Sequence, residues 1–232
     1  MSVRTQYDRW HEERTGPAQH QEDSPWHRIV REYLPAVQDK RILEIACGRG
    51  GFTRDLAASG ARAVGADFSY SALKIAQKGV TSASLAQADA TKLPFLAESF
   101  DIVVSCETIE HLPDPSSGLS EMARVCRPGG LLYLTTPNYF NLMGLYRVYD
   151  SVLGRPQRSE ESQPYDTVWN FPEVRRLVRR AGWEILRTDG TVHQVPFPGR
   201  APITLKIAEG SRRLRRSLAI FALHQFVMAR KP

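Results

Sequence analysis

The sequence predicts an α/β fold, a mostly parallel sheet of seven strands with helices on both faces. Three observations predict it. Between residues 41 and 136, short apolar runs alternate with segments of helical pattern, the order that builds parallel strands joined by crossover helices. One run, "FDIVVSC" (100–106), has a four-residue apolar centre, which suits a strand buried on both faces. The chain has 232 residues, 42% of them apolar, enough for one domain with a sizeable core.

The elements follow in order. Residues 3–14 and 25–37 read as irregular helices, each holding a Trp and a Tyr; together, residues 1–38 form an N-terminal helical lid. "RILEIA" (41–46) is a buried strand, and "FTRDLAAS" (52–59) a helix that Gly60 stops. "ARAVGAD" (61–67) is the next strand, and "SYSALKIAQK" (69–78) a helix stopped by Gly79. "ASLAQAD" (83–89) and "FDIVVSC" are the third and fourth strands. "SGLSEMARVC" (117–126) is helical, "RPGG" turns the chain, and "LLYLTT" (131–136) is the fifth strand. After Pro137 the rhythm breaks, and residues 138–170 read as a small cap with a helix at 139–152. A helix at 171–181 follows, then strands at 183–192 and 221–230 with a basic helix between them. All 232 residues are expected to form a single domain that includes lid and cap. Loops at the carboxyl ends of the strands are expected to form the ligand crevice.

Charge and cysteines bound the function. The formal charge is +6, unevenly spread: 16 basic against 18 acidic residues in 1–154, and 15 against 7 in 155–232. A basic C-terminal third suits an anionic partner. Cys47, Cys106 and Cys126 lack CxxC spacing, which argues against a zinc site or a disulfide framework and fits a reducing cytoplasm. The N-terminal stretch has no apolar secretory segment. "LAIFALHQFVMA" (218–229) is too short to span a bilayer and carries His224 and Gln225. The protein is expected to be cytoplasmic.

"RILEIACGRGGFT" (41–53) ends a strand in three glycines, which let a backbone turn tightly and approach a ligand. No GK[ST] follows, so this is no Walker A loop, and GxGxxG is absent. Asp67 ends the second strand 19 residues after Gly48, where a carboxylate can accept hydrogen bonds from both ribose hydroxyls. Asp89 ends the third, within reach of an adenine amine, with the Ala90 N–H for a ring nitrogen. Glu44 can orient the loop or receive a ligand amine. These acids suit a ribose, an adenine and a cationic tail better than phosphates. Plainer roles fit the same positions: Asp67 as a helix cap, Asp89 as a turn end, Glu44 as partner of a nearby base.

"ILEIACGRG", "GADFS", "QADATKLPF", "FDIVVSCETIEHLPDP" and "RPGGLLYLTTPN", in this order, resemble the motifs of class I S-adenosylmethionine-dependent methyltransferases. The closest resemblance is to small-molecule enzymes such as those of the ubiquinone pathway. It covers about residues 40–140 and implies a Rossmann-like fold, with S-adenosylmethionine as cofactor and S-adenosylhomocysteine as product. It places the cofactor on Glu44, Ala46, Gly48, Gly50, Asp67, Phe68, Asp89, Ala90, Ser105 and Cys106. Ala46 stands where the family usually has glycine. Alanine does not easily take a positive φ; with Gly48 and Gly50 left for the closest approach, the change is expected to be tolerated.

By the same resemblance, "SCETIEHLPDP" lies where donor and acceptor meet. His111 is the expected catalytic base, its ordinary pKa of about 6.5 suiting proton acceptance, with bracing of the loop as the plainer role. Glu107 and His111 lack an evident third ligand, so no metal is expected. "SCET" lacks the tetrad of base-amine methyltransferases, and Cys106 lacks the preceding proline of RNA cytosine enzymes; nucleic acid therefore loses support. Tyr139, Tyr146 and Trp169 are expected to contact the acceptor within an aromatic cap wall, and Tyr7 and Trp10 to close over the cofactor. Arg175, Arg176, Arg179 and Arg180 read as a solvated helix face. Arg212, Arg213, Arg215 and Arg216, beside Ile203, Ile207, Leu214 and Leu218, suit an anionic membrane or a lipid-linked acceptor. The expected reaction is methylation of a small or lipid-linked acceptor at a hydroxyl. The alternatives are an RNA or protein methyltransferase and a cofactor-binding scaffold without turnover.

Overall fold

Successive side chains of a strand point to opposite faces, and here both faces are covered. Leu43, Ile45, Val103, Leu132, Leu134 and Val227 enter one core. Their neighbours Ile42, Ile102, Val104, Tyr133 and Phe226 enter the other. Double burial is why these strands read as continuous apolar runs instead of alternating ones.

A computed structural model describes residues 3–13, 24–139, 141–144, 167, 169–197 and 200–232. The strands are β1 (Arg41–Ile45), β2 (Arg62–Asp67), β3 (Ser84–Gln87), β4 (Phe100–Cys106), β5 (Cys126–Pro137), β6 (Glu184–Thr191), β7 (Gln194–Phe197), β8 (Arg200–Thr204) and β9 (His224–Arg230). Seven of them form one sheet in the order β3-β2-β1-β4-β5-β9-β6. β1 to β5 pair in parallel, and β9 runs antiparallel to both β5 and β6. This is the Rossmann-like, mostly parallel architecture the alternation predicts.

Helices α2 (Pro25–Tyr33) and α3 (Gly51–Ala58) supply Ile29, Val30, Phe52 and Leu56 to one core. Helices α5 (Pro115–Val125) and α6 (Phe171–Arg180) supply Leu119, Met122, Val174 and Val178 to the other. Their starts are set by capping: Asp114 accepts the Ser117 N–H, and Asn170 with Glu173 makes a capping box. Between β2 and β3 lies α4 (Tyr70–Ala76), capped by Ser69.

The lid helix α1 (Val3–Glu13) packs by polar contacts. Asp8 accepts from the Ser69 hydroxyl (2.7 Å) and the Ser71 N–H, and Glu12 from the Ser71 hydroxyl. Arg4 lies over the Phe68 ring.

The structure differs from the sequence reading in places. β5 begins at Cys126, so "RPGG" lies inside the strand. β3 ends at Gln87, which puts Asp89 beyond it. The stretch read as one basic helix holds the β7–β8 hairpin and two short helices, α7 (Lys206–Glu209) and α8 (Arg212–Ser217). Most of the expected cap helix lies outside the described residues. Among the described residues, no helix is long and apolar enough to cross a membrane.

Candidate functional site

A cavity of about 940 Å³ opens at the carboxyl ends of β1, β2 and β4. Ligand cavities run to about 300–1,000 Å³, so this one lies at the large end of that range. The sequence-predicted Glu44, Ala46, Gly48, Asp67, Phe68, Asp89, Ala90, Cys106, His111 and Tyr139 all line it. Tyr7 and Trp10 line it from α1, as the lid reading expects.

The loop after β1 turns through three left-handed residues, Ala46 (φ 55°), Gly48 (φ 54°) and Gly50 (φ 76°). Alanine therefore holds the conformation that glycine holds without penalty, at a cost of about 1–2 kcal/mol. Gly48 meets the cavity, but Gly50 does not. A Cβ on Gly50 would sit 2.6 Å from Val80 Cγ2 and 3.1 Å from Ala76 Cβ. Its bareness serves the packing of α3 beside the end of α4, not a ligand.

Asp67 ties this loop to the next turn. One carboxylate oxygen accepts the Gly48 N–H (2.7 Å), the other the Ser69 N–H (2.8 Å). Burial pushes its carboxyl above the ordinary value, although those N–H groups pull it down. The cap of α4 is Ser69, not Asp67. Asp89 is exposed, and one of its oxygens accepts from both N–H and hydroxyl of Thr91. Its other oxygen has no partner among the described residues. Glu44 is buried and accepts from the Thr53 hydroxyl. Burial pushes its carboxyl up to about 8, against the Thr53 hydrogen bond and helped by Asp67. It is therefore a neutral acid at pH 7, with His27 Nε2 3.8 Å away.

A ligand with a ribose, an adenine and a cationic amine fits this donor set. Carboxylates stand at the end of β2 and just past β3, one Asp89 oxygen has no partner among the described residues, and a glycine with no Cβ lines the wall. Three expectations need correction. Ser105 is fully buried in β4, pairing Ile45 and Leu134, and does not line the cavity. Trp169 packs against the core and does not itself line the cavity, although its carbonyl accepts the N–H of Tyr139, which does. Gly50 packs on α4, as above. Tyr146 lies outside the described residues.

His111 is the histidine expected to act as base. The fold also brings His11, His27 and His224 to the cavity. His111 Nε2 lies 3.7 Å from Glu110 Oε1, and Glu110 Oε2 accepts from the Thr136 hydroxyl (2.8 Å). Sequence reasoning missed Glu107 and His224, whose Oε2 and Nδ1 are 2.8 Å apart across 117 positions. Burial lowers the His224 pKa, but the charge and hydrogen bond of Glu107 outweigh it, and the net shift is upward. Glu107 has φ 49°, and its Oε1 is buried without a hydrogen-bond partner among the described residues. A left-handed backbone costs about 1–2 kcal/mol and an unsatisfied buried acceptor about 1–3 kcal/mol. Only the positive φ, at the end of an apolar strand, could have signalled it, and sequence does not print φ. Among the described residues, no group of three or more His, Cys, Asp or Glu is placed to hold a metal ion.

One member of the second arginine cluster is internal, while Arg212, Arg213 and Arg216 are exposed. Arg215 is buried, its guanidinium bonded to Glu32 (2.6 Å) and Asp189 (3.2 Å). Arg212 and Arg216 lie over the Tyr33 ring. The expectation that all four face an anionic partner is thus corrected.

Residues 43–134 match the model of a methyltransferase domain family. The chain is 36% identical over 180 residues to the demethylmenaquinone methyltransferase of Mycobacterium sp. (strain KMS), covering 72% of this chain and 77% of that one. It is 30% identical to that of Streptomyces avermitilis, over 70% of this chain and 76% of that one. Among solved structures it resembles the complex of the Haloferax volcanii Trm112 methyltransferase activator with a methyltransferase. The TM-score is 0.70 and identity 22%, over 100% of this chain and 98% of that one. An S-adenosylmethionine-dependent methyltransferase of Mesorhizobium loti superposes with TM-score 0.65 at 19% identity, over 90% and 99%.

Proposed function

Because the chain belongs to the class I S-adenosylmethionine-dependent methyltransferases, we propose that it methylates a lipid-linked aromatic acceptor of the hydroquinone type, at a hydroxyl oxygen. The single observation that carries this is the shape and lining of the cavity. The glycine loop, Glu44, Asp67 and Asp89 line it together with Trp26, Tyr139, His111 and His224. The relatives' names, demethylmenaquinone methyltransferases, support the acceptor class.

S-adenosylmethionine supplies a methyl carbon on a positively charged sulfur, and the electron pair of the broken bond stays on that sulfur. The chain's part is to bind, orient and exclude water. Asp67 is proposed to hold the ribose, Asp89 and Ala90 the adenine, and Glu44 with the Cys106 main chain the amine end. Phe68 packs beneath Tyr7 at 6.4 Å and helps α1 close the cavity. Tyr139 flanks the acceptor. A neutral phenol is a weak nucleophile, so a proton acceptor is required; His111 is the candidate that sequence singles out.

The surface also suits a peripheral contact with an anionic membrane. Ile203, Ile207 and Phe221 are exposed, with Ile207 81% so, and Lys206, Arg212 and Arg213 lie nearby in the chain. Sedimentation with vesicles rich in anionic lipid, against neutral ones, tests this contact.

The reaction itself is tested with methyl-labelled S-adenosylmethionine and reduced short-chain demethylmenaquinone, with the product read by mass spectrometry and NMR. Label on an oxygen is expected. Label on a ring carbon would move the receiving atom, and no transfer to any hydroquinone would overturn the acceptor class.

A further inference from the structure

We propose that His224, held by Glu107, is the base that takes the acceptor's hydroxyl proton, and that Glu107 is its positioning residue. The proposal rests on the hydroxyl-acceptor reading above and names the residue that reading leaves open.

Four observations converge on this pair. His224 Nδ1 meets Glu107 Oε2 at 2.8 Å, which fixes the ring and leaves Nε2 to face a partner. Nε2 has no hydrogen bond among the described residues, and both side chains line the cavity. The Trp26 ring packs against the imidazole at 5.2 Å, limiting its rotation. Glu107 combines a left-handed backbone (φ 49°) with a buried carboxylate oxygen that has no hydrogen-bond partner among the described residues. Strain concentrated on one cavity residue is a feature of functional sites. His111, by contrast, lies 3.7 Å from Glu110, whose other oxygen already accepts from Thr136.

The step balances simply. The acceptor's O–H bond breaks, its electron pair stays on oxygen, and the proton forms an N–H bond at His224 Nε2. The aryloxide so formed is the nucleophile, and the imidazolium later loses its proton to water. Glu107 stabilises that imidazolium, the role a carboxylate plays behind a catalytic histidine. The titratable groups lining the cavity include Glu107 after β4, Glu110, His111 and Asp114 in the following turn, His27 on α2, Glu44 on β1, Asp67 at the end of β2, Asp89 just past β3, and His11 on α1. Glu107 is the one that raises the His224 pKa.

The test needs no methyl donor. 4-Nitrophenol absorbs in the visible only as its anion. At a pH below its solution midpoint, the wild type should bind it and show the anion band. His224→Asn and His224→Gln should bind the probe without the band. Glu107→Gln should shift the midpoint of the band towards that of an ordinary histidine. In the methyl-transfer assay, His224→Asn should lower kcat about 10²-fold or more, with donor affinity by calorimetry and melting temperature unchanged. An unchanged band in both His224 variants would overturn the proposal, as would its loss in His111→Asn but not in His224→Asn. If the wild type does not bind the probe at all, the hydroxyl-acceptor reading falls and the proposal with it.

Discussion

Ala46→Gly should make the protein more stable. The residue sits at φ 55°, where a Cβ crowds the following carbonyl at a cost of about 1–2 kcal/mol. Glycine removes that cost but widens the unfolded ensemble, which offsets about 0.4–1 kcal/mol. Ala46 is exposed on the cavity wall, so little packing is lost. The net gain is roughly 0.5–1 kcal/mol, or about 1–4 °C in melting temperature for a chain of this length. Gly48→Ala is the mirror experiment. Its φ of 54° puts the same penalty on the new methyl, so it should lose stability. Differential scanning calorimetry of both variants, without ligand, reads the effect. A lower melting temperature for Ala46→Gly, or a higher one for Gly48→Ala, would refute the reasoning.

Three further outcomes are expected. Asp67→Ala should weaken S-adenosylmethionine binding by about 1–3 kcal/mol and also lower the melting temperature, because the Gly48 and Ser69 N–H groups lose their acceptor; unchanged affinity by calorimetry rejects the ribose role. Arg215→Ala leaves the buried Asp189 without its cation, while Glu32 keeps Arg212, and should cost about 3–5 kcal/mol in urea denaturation; a loss below about 1 kcal/mol would make the pair a surface one in energetic terms. Glu44 titrates in the folded state near 8 against an ordinary 4.5, so the folded form binds the extra proton between those values and stability falls as pH rises through that window. Glu44→Gln should flatten the slope. A cationic amine arriving beside Glu44 should release a proton at neutral pH, seen as a binding enthalpy that depends on the buffer.

The first five strands were legible because each is locally complete. An apolar run with Gly, Asp or Pro beyond it needs no distant partner to be recognised. Asp67, Gly48 and Asp89 were legible for the same reason, standing at or just past strand ends. What escaped depends on long-range pairing. His224 reaches Glu107 only because β9 enters antiparallel beside β5, with His224 opposite Pro137. Nothing within ten residues of either announces the other. Arg215 reads as surface charge until Asp189, 26 positions away, is placed behind it. Gly50 looked like part of a ligand loop because its real neighbours, Ala76 and Val80, stand at and just after the end of the next helix. Trp169 looked like part of the cap because aromatic composition does not tell a cavity wall from a core.

β9 follows every other strand in chain order, yet it lies between β5 and β6. During translation, those two strands emerge long before the one that must separate them. Leu132, Leu134 and the open edge of β5 therefore wait, exposed, for Phe226 and Val227 to leave the ribosome. An unpaired apolar edge invites association with other chains. The nucleotide-side half, β1 to β4, can condense early, while the half bearing His224 closes only with the last strand. The chain thus has a late, sequence-distant closing step, the insertion of β9 between β5 and β6.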